Sequence, residues 1–388
     1  MERKNHIDFT TLICALTLMF MSLGIVYSAS ATIAAKEKGT SEFYLIQHAI
    51  KVAAGIVFLF FFMRFDYHRI QRLSKLILIG TILLLIATIL IGIIAQGAKR
   101  WLNIGPLNLQ PSELAKYALL FHLAALIVKK GELIQDLKRG YVPMLIWIAL
   151  VTGLVLLQPN FSMSIMIFGL SLSLLYIGNV RLQHLVMTFV TLIPAILIFM
   201  IFKPYSIKRI TDFINNIFGS SQNLGYQLSQ SIIAFGNGGI FGVGPGESKQ
   251  RDLFLPLSHN DFVYSIIGEE YGFLGTMTIL FIFFLIMLRG FKIARNAPDP
   301  FGRFAAAAIT LAITTNALAN ACVTVGLFPT TGLPMPFVSY GGTSMLVSSA
   351  VIGILLNISS QTDMNPRIQE IPVLGEVNAD TINTRKVY

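Results

Sequence analysis

Residues 304–362 read FAAAAITLAITTNALANACVTVGLFPTTGLPMPFVSYGGTSMLVSSAVIGILLNISSQT, 59 positions without one Asp, Glu, Lys or Arg. A membrane-spanning helix needs about 20 mainly apolar residues, because lipid offers the backbone no hydrogen-bond partner. The run has room for two such helices. Pro329, Pro334 and Pro336 divide it, since proline removes a donor and clashes with the preceding turn.

The same reading extends along the chain. Phe9–Ala35, Leu76–Ala98, Leu182–Phe202 and Tyr271–Leu288 are uncharged and long enough to span. Phe43–Met63 qualifies with Lys51 near one end, and Leu114–Val128 qualifies with Lys116 inside it. Gly140–Val180 is uncharged for 41 residues, with a turn expected at Gln158-Pro159-Asn160. The expected fold is therefore an all-α polytopic membrane protein with about ten transmembrane helices. Composition agrees: 54% of the 388 residues are hydrophobic and 12% charged, against roughly 25% charged in soluble domains. A water-soluble globule, a disordered regulator and a disulfide-stapled module are excluded. Cys14 and Cys322 lie in apolar runs and form neither a disulfide framework nor a metal motif. Ala29-Ser30-Ala31 superficially resembles a signal-peptide cleavage site, but the apolar stretch is too long, so an uncleaved first helix is expected.

Ten spans place both termini on one side. With both inside, 18 of the 29 Lys and Arg are cytoplasmic, ten are external, and Lys116 is embedded. The positive-inside bias selects N-in, C-in, and much of the formal charge of +10 is orientation signal rather than a nucleic-acid footprint. The chain divides into a short cytoplasmic N-terminus (1–8), a membrane domain (9–360) and a polar tail (361–388). One long extracytoplasmic loop, 203–260, joins helices 7 and 8. Its first part repeats Ile207, Ile210, Phe213, Ile214 and Ile217 at a spacing suited to a helix on the membrane surface. Its second part, Gly225–Gly246, holds seven glycines, which points to close backbone packing or ligand approach.

Charges in or beside apolar helices are costly and are the first functional candidates. Lys116 lies inside a span with Glu113 at i−3, so the two can pair on one face, as a structural ion pair or as part of a site. Arg100 beside Trp101 is either an interfacial anchor or part of a cation cluster suited to a diphosphate. Asp261 stands where the long loop enters a span, as a candidate acid–base group or as a helix N-cap. Glu269 and Glu270, about two turns deeper, are expected to be buried partners of Arg or Lys. Gly242-Val243-Gly244-Pro245-Gly246 lacks the context of a nucleotide loop. Pro329–Gly342 is a helix-breaking turn or a re-entrant loop lining a cavity.

Several words together resemble one family: Gly97–Leu102, Gln110–Lys116, Gly225–Ser231, Gly242–Gln250, Phe254–Pro256 through Gly268-Glu269-Glu270, and Pro329–Gly342. They are similar to the shape, elongation, division and sporulation family of peptidoglycan polymerases, over about residues 8–360. Gly244–Gln250 and Ile267–Glu270 resemble the spelling of its division branch rather than its elongation branch. The resemblance implies a membrane glycosyltransferase that polymerises lipid II and releases undecaprenyl diphosphate with inversion. It implies Asp261 as the base, Lys116 and Arg100 as stabilisers of the diphosphate, and Glu113 as the group positioning Lys116. It adds Lys249 and His259 to the binding set, with Ser339, Tyr340, Gly341 and Gly342 shaping a cavity. A divalent cation (Mg or Mn) is the implied helper, with no residue assigned to hold it. The implied partners are a class B penicillin-binding transpeptidase and divisome proteins, and the implied place is the division septum. The chain departs from the family pattern at Asn160 (usually Asp), Leu257 (usually Glu) and Asn260 (usually Thr). An elongation polymerase, a lipid II flippase or transporter, and a non-catalytic scaffold are the competing readings.

Overall fold

The computed structural model describes residues 7–95, 98–104, 107–201, 211, 225–253 and 260–362. Three helices come first: α1 (Phe9–Lys38), α2 (Phe43–Arg64) and α3 (Tyr67–Ile91). Strands β1 (Ile93–Ala95), β2 (Ala98–Ile104) and β3 (Leu107–Leu109) follow, then α4 (Pro111–Lys130), α5 (Val142–Leu157), α6 (Phe161–Ile177) and α7 (Leu182–Ile201). After the long loop's described part, with α8 (Tyr226–Gly238) and the short α9 (Lys249–Leu253), the chain ends in α10 (Val263–Asn296), α11 (Pro300–Thr324) and α12 (Gly342–Ser360). Among the described residues ten helices, α1–α7 and α10–α12, correspond to the ten expected spans. By length and composition, seven helices among the described residues can cross a membrane, with shorter apolar helices at Phe161–Ile177 and Leu182–Leu192. The helix α4, the most polar of the ten, is an inner helix: it packs against α3, α5, α6, α11 and α12 and turns almost no face outward.

Two expectations are corrected. The third span is not Leu76–Ala98: α3 begins at Tyr67 and stops at Ile91, where Gly92 turns extended. Ile93–Ala95 then pairs antiparallel with β2, and β2 with β3. Hydropathy cannot separate a short β-branched run from the end of a helix, so this small sheet was not foreseen. The eighth span is likewise longer than Tyr271–Leu288, because α10 starts at Val263. The surface helix expected from Ile207 to Ile217 and the tail beyond Thr362 lie outside the described residues. Through Ala29-Ser30-Ala31, α1 runs unbroken.

Cross-chain bonds define the two ends of the bundle. At one end Asp8 caps α1, receiving Thr10 N–H at 3.1 Å, and pairs with Arg289 Nε at 2.9 Å. At the same end Asn357 accepts Tyr67 N–H at 3.1 Å and donates to the Met63 carbonyl at 2.9 Å. The opposite end carries the small sheet, the 158–160 turn, α8, α9 and the segment between α11 and α12.

At that second end α10 is broken. Gly272 holds φ +65°, ψ −162°, outside the helical region. A break deep in a span leaves backbone groups that lipid cannot satisfy. The chain after α8 satisfies them: Val243 and Gly244 N–H donate to the Glu269 and Glu270 carbonyls at 2.9 and 3.0 Å. Phe273 and Leu274 N–H donate to the Gly239 and Ile240 carbonyls at 2.9 and 3.2 Å. Such proximity demands glycine: a Cβ on Gly242 would stand 2.1 Å from the Glu270 oxygen. Close backbone packing is thus what the glycine-rich stretch does.

Candidate active site

Four structural pieces converge at this end. The first is α4, with Pro111 at its opening turn, a position where the missing N–H costs nothing. One turn on, Lys116 Nζ lies 2.8 Å from Glu113 Oε2, and both side chains are 1% exposed. The ammonium also stands 4.9 Å from the Tyr117 ring centroid. The second Glu113 oxygen, Oε1, has no hydrogen-bond partner among the described residues. The ion pair of the sequence reading therefore exists and is enclosed within the bundle.

The second piece is the small sheet. Arg100 projects from β2 and donates through Nη2 to the Pro159 carbonyl, joining the sheet to the α5–α6 turn. Next to that carbonyl Asn160 is buried, with Nδ2 3.5 Å from Ser112 Oγ on α4. Gln158 Nε2 donates to the Leu85 carbonyl at 3.0 Å. The turn expected at 158–160 thus lies beside the α4 N-terminus.

The third piece is the segment from Val325 to Gly341, which is re-entrant rather than a simple turn. Asn316 Nδ2 donates to the Pro334 carbonyl at 3.3 Å, and Asn320 Nδ2 donates to the Leu333 carbonyl at 2.8 Å. Asn316 stands eight residues before the end of α11, so at 1.5 Å per residue the segment dips about 12 Å back alongside that helix. Leu333, Met335, Phe337 and Val338 are buried there.

The fourth piece is the turn before α10, which carries Asp261. Asn320 Nδ2 also donates to the Asp261 carbonyl at 2.9 Å, so one amide holds Asp261 and the re-entrant segment together. Asp261 Oδ2 lies against Gly332, 3.4 Å from where a Cβ would stand. The cap residue of α10 is Phe262, one position later, and Phe262 packs on Ala29 and Ile266. Asp261 is half-buried, at the junction of loop and bundle.

The remaining expected residues divide. Ser339 is buried and its Oγ receives Met335 N–H at 2.8 Å, which makes it a brace of the re-entrant turn. Tyr340 faces α2: its hydroxyl donates to Gln47 Oε1 at 2.6 Å, and Lys51 Nζ stands 3.5 Å from its ring centroid. Gly341 and Gly342 lie beside Pro334 and Lys51, which an added Cβ would meet at 3.9 and 3.6 Å, ordinary contact distances. Thr343 Oγ1 receives Gln110 N–H at 3.0 Å and donates to the Asn108 carbonyl at 2.9 Å, tying α12 to the start of α4. Lys249 is exposed on α9. Its neighbours make the buried contacts instead. Gln250 N–H donates to Glu269 Oε2 at 3.2 Å, and Arg251 Nη1 lies 3.4 Å from Glu270 Oε1. Ser28 Oγ donates to the same Glu270 oxygen at 2.5 Å, so the paired glutamates anchor α9 and α1, with the arginine partner expected for Glu270. His259 and Leu257 lie outside the described residues.

Among the described residues no three His, Cys, Asp or Glu side chains converge to hold a metal ion. Glu113 is matched by Lys116, and Asn160 supplies an amide beside them, so this donor set does not fit a divalent cation. Sequence reading missed Asn320, Asn316 and Thr343, and it counted Lys51 only as an end-of-span charge. A signal for the first two was present: two amides at i, i+4 in an otherwise uncharged run mark one polar helix face.

Comparison with known proteins gives this arrangement its relatives. A family model described as "Cell cycle protein", for FtsW, RodA and SpoVE, matches residues 9–364. The "Probable peptidoglycan glycosyltransferase FtsW" of Trichlorobacter lovleyi is 36% identical over 366 residues, covering 94% of this chain and 96% of the relative. The stage V sporulation protein E of Bacillus subtilis is 33% identical over 359 residues, covering 92% and 98%. A solved chain from work on "polymerization and crosslinking by a peptidoglycan synthase complex" shares the fold with TM-score 0.75 at 23% identity, covering 91% of this chain and 97% of that one. The crystal structure of Thermus thermophilus RodA does so with TM-score 0.67 at 22% identity, covering 91% and 96%. On this evidence of matched length, identity and fold, the chain belongs to the FtsW/RodA/SpoVE cell cycle protein family.

Proposed function

We propose that the chain is a peptidoglycan glycosyltransferase that polymerises lipid II at the outer face of the cytoplasmic membrane, working in cell division. The observation that carries the reading is Asp261: a carboxylate half-buried at the end of the bundle, its backbone held by Asn320, its side chain against the re-entrant segment. The near-full-length likeness to proteins named peptidoglycan glycosyltransferase FtsW supports it.

In this reading Asp261 takes the proton from the 4-hydroxyl of the acceptor's GlcNAc as that oxygen attacks C1 of the donor's MurNAc. The new C1–O4 bond forms as the bond from C1 to the diphosphate oxygen breaks, with inversion, and the carboxyl later returns its proton to water. General-base help of this kind contributes about 10²–10⁴ in rate. Lys116 and Arg100 stabilise negative charge on the departing undecaprenyl diphosphate, and Glu113 holds Lys116 in place. The N-in, C-in orientation places the Asp261 end outward, where a class B transpeptidase and divisome proteins reach the product.

The test is polymerisation of labelled lipid II by the purified full-length protein with its transpeptidase. Asp261→Asn is expected to lose glycan product by about 100-fold or more. Normal polymer from that variant rules out the base, and movement of lipid II between leaflets without polymer favours a transporter. Septal rather than lateral placement of a tagged copy tests the division role.

A further inference from the structure

Lys51 lies eight residues into α2, about 12 Å below that helix's start. Its ammonium is 3.5 Å from the Tyr340 ring centroid, and no carboxylate pairs with it among the described residues. Lys116 makes the contrast, because Glu113 neutralises it at 2.8 Å. Embedded cations without a counter-charge are costly and rare, and the face of one aromatic ring returns only part of the lost hydration. The surroundings hold the ring in place: Tyr340 donates to Gln47 Oε1 at 2.6 Å and meets Tyr44 edge-on at 5.6 Å between centroids. Gly342 borders the lysine's stem, where an added Cβ would meet Lys51 Cε at an ordinary contact distance of 3.6 Å. Thr343, next in sequence, is hydrogen-bonded to the residues that open α4. The stretch from Tyr340 to Thr343 thus touches Lys51 on α2 and is bonded to the start of α4, the helix that carries Lys116.

We infer that Lys51, backed by Tyr340, is a second anion subsite, one that binds the diphosphate of the acceptor lipid. The inference rests on the polymerase reading. That reaction brings two lipid-linked diphosphates to one carboxylate, one leaving and one retained. Arg100 and Lys116 serve the leaving one, and Lys51 supplies the unmatched positive charge for the other. Lys51 is here a binding residue, so its loss weakens substrate affinity rather than the chemical step.

The experiment uses the full-length protein in nanodiscs and fluorescent lipid II as probe, in an Asp261→Asn background for binding and with Asp261 intact for kinetics. Lys51→Met is expected to weaken lipid II binding by at least about tenfold, the worth of a charge-assisted contact. It should raise KM with kcat within about twofold, and Lys51→Arg should restore affinity to within about threefold. Thermal stability of Lys51→Met should hold or rise, because an unmatched charge leaves the bilayer. Unchanged affinity with a lowered unfolding midpoint overturns the inference and makes the lysine a structural brace for Tyr340. If Lys51→Met does not fold, Lys51→Gln carries the same affinity expectation, and wild-type binding by Lys51→Gln overturns it equally. Displacement of lipid II by phosphatidylglycerol in wild type but not in Lys51→Met assigns the charge to a resident phospholipid and also overturns it. Absence of lipid II binding by the Lys51-intact protein defeats the polymerase reading itself, whereas binding that ignores Lys51 defeats only this inference.

Discussion

The Glu113–Lys116 pair allows structure and function to be separated in one double-mutant cycle. At 2.8 Å and an effective dielectric constant of about 20, the gross attraction is about 6 kcal/mol. Desolvation of two side chains, each 1% exposed, offsets much of that, so the pair as a whole adds little net stability. Removing one partner is different, because Glu113 already has one oxygen without a partner among the described residues. Lys116→Met is expected to cost about 3–5 kcal/mol, two to nearly four orders of magnitude in the folded ratio at about 1.4 kcal/mol each. Glu113→Gln with Lys116→Met should recover most of that, giving a coupling of about 3 kcal/mol. Activity should not follow stability. If Lys116 stabilises the leaving diphosphate, the double variant stays at least about 100-fold down in lipid II polymerisation while folding normally. Unfolding in mixed detergent micelles and glycan-product gels on the four proteins give both numbers. A double variant that polymerises at the unmodified rate would refute the functional assignment and leave a structural ion pair. A single variant costing under about 1 kcal/mol would refute the enclosed geometry.

Two further outcomes follow from particular contacts. Gly242→Ala drives a Cβ to 2.1 Å from the Glu270 carbonyl oxygen at φ +86° and should destabilise by about 2 kcal/mol or more, whereas Gly80→Ala, with nothing within 4 Å, should stabilise α3 by about 0.5–1 kcal/mol; equal unfolding midpoints would contradict the packing at the α10 break. Asn320→Leu removes the amide that holds both the Asp261 and Leu333 carbonyls, and should lower kcat by about tenfold or more with lipid II affinity within about twofold, measured by steady-state kinetics beside equilibrium binding.

Much of the candidate site could be read along the chain. Lys116 and Glu113 were visible because charge inside an apolar run is expensive, and their i, i+3 spacing already implied contact. Asp261 was visible as a carboxylate at the edge of a span. The small sheet was hidden because Ile93 and Ile94 suit a helix end and a strand alike. Lys249 sits in a recognisable word and is exposed, while its neighbours Gln250 and Arg251 make that word's buried contacts. Asn320 and Thr343 carry no charge, so nothing in their local sequence reveals that they bond to carbonyls 59 and 235 residues away.

The number of spans, their approximate limits and the presence of embedded charges were determined by the sequence alone, because lipid imposes a fixed length and a steep penalty on exposed polar groups. Which distant charges meet, as Arg251 with Glu270 and Arg289 with Asp8, was decided only by tertiary structure. The break at Gly272, the dip of the 325–341 segment and the amide of Asn320 bring together residues that helical spacing keeps apart. Hydrogen bonds and close backbone approach between distant segments depend on how the helices stack, and local hydropathy carries no record of that stacking.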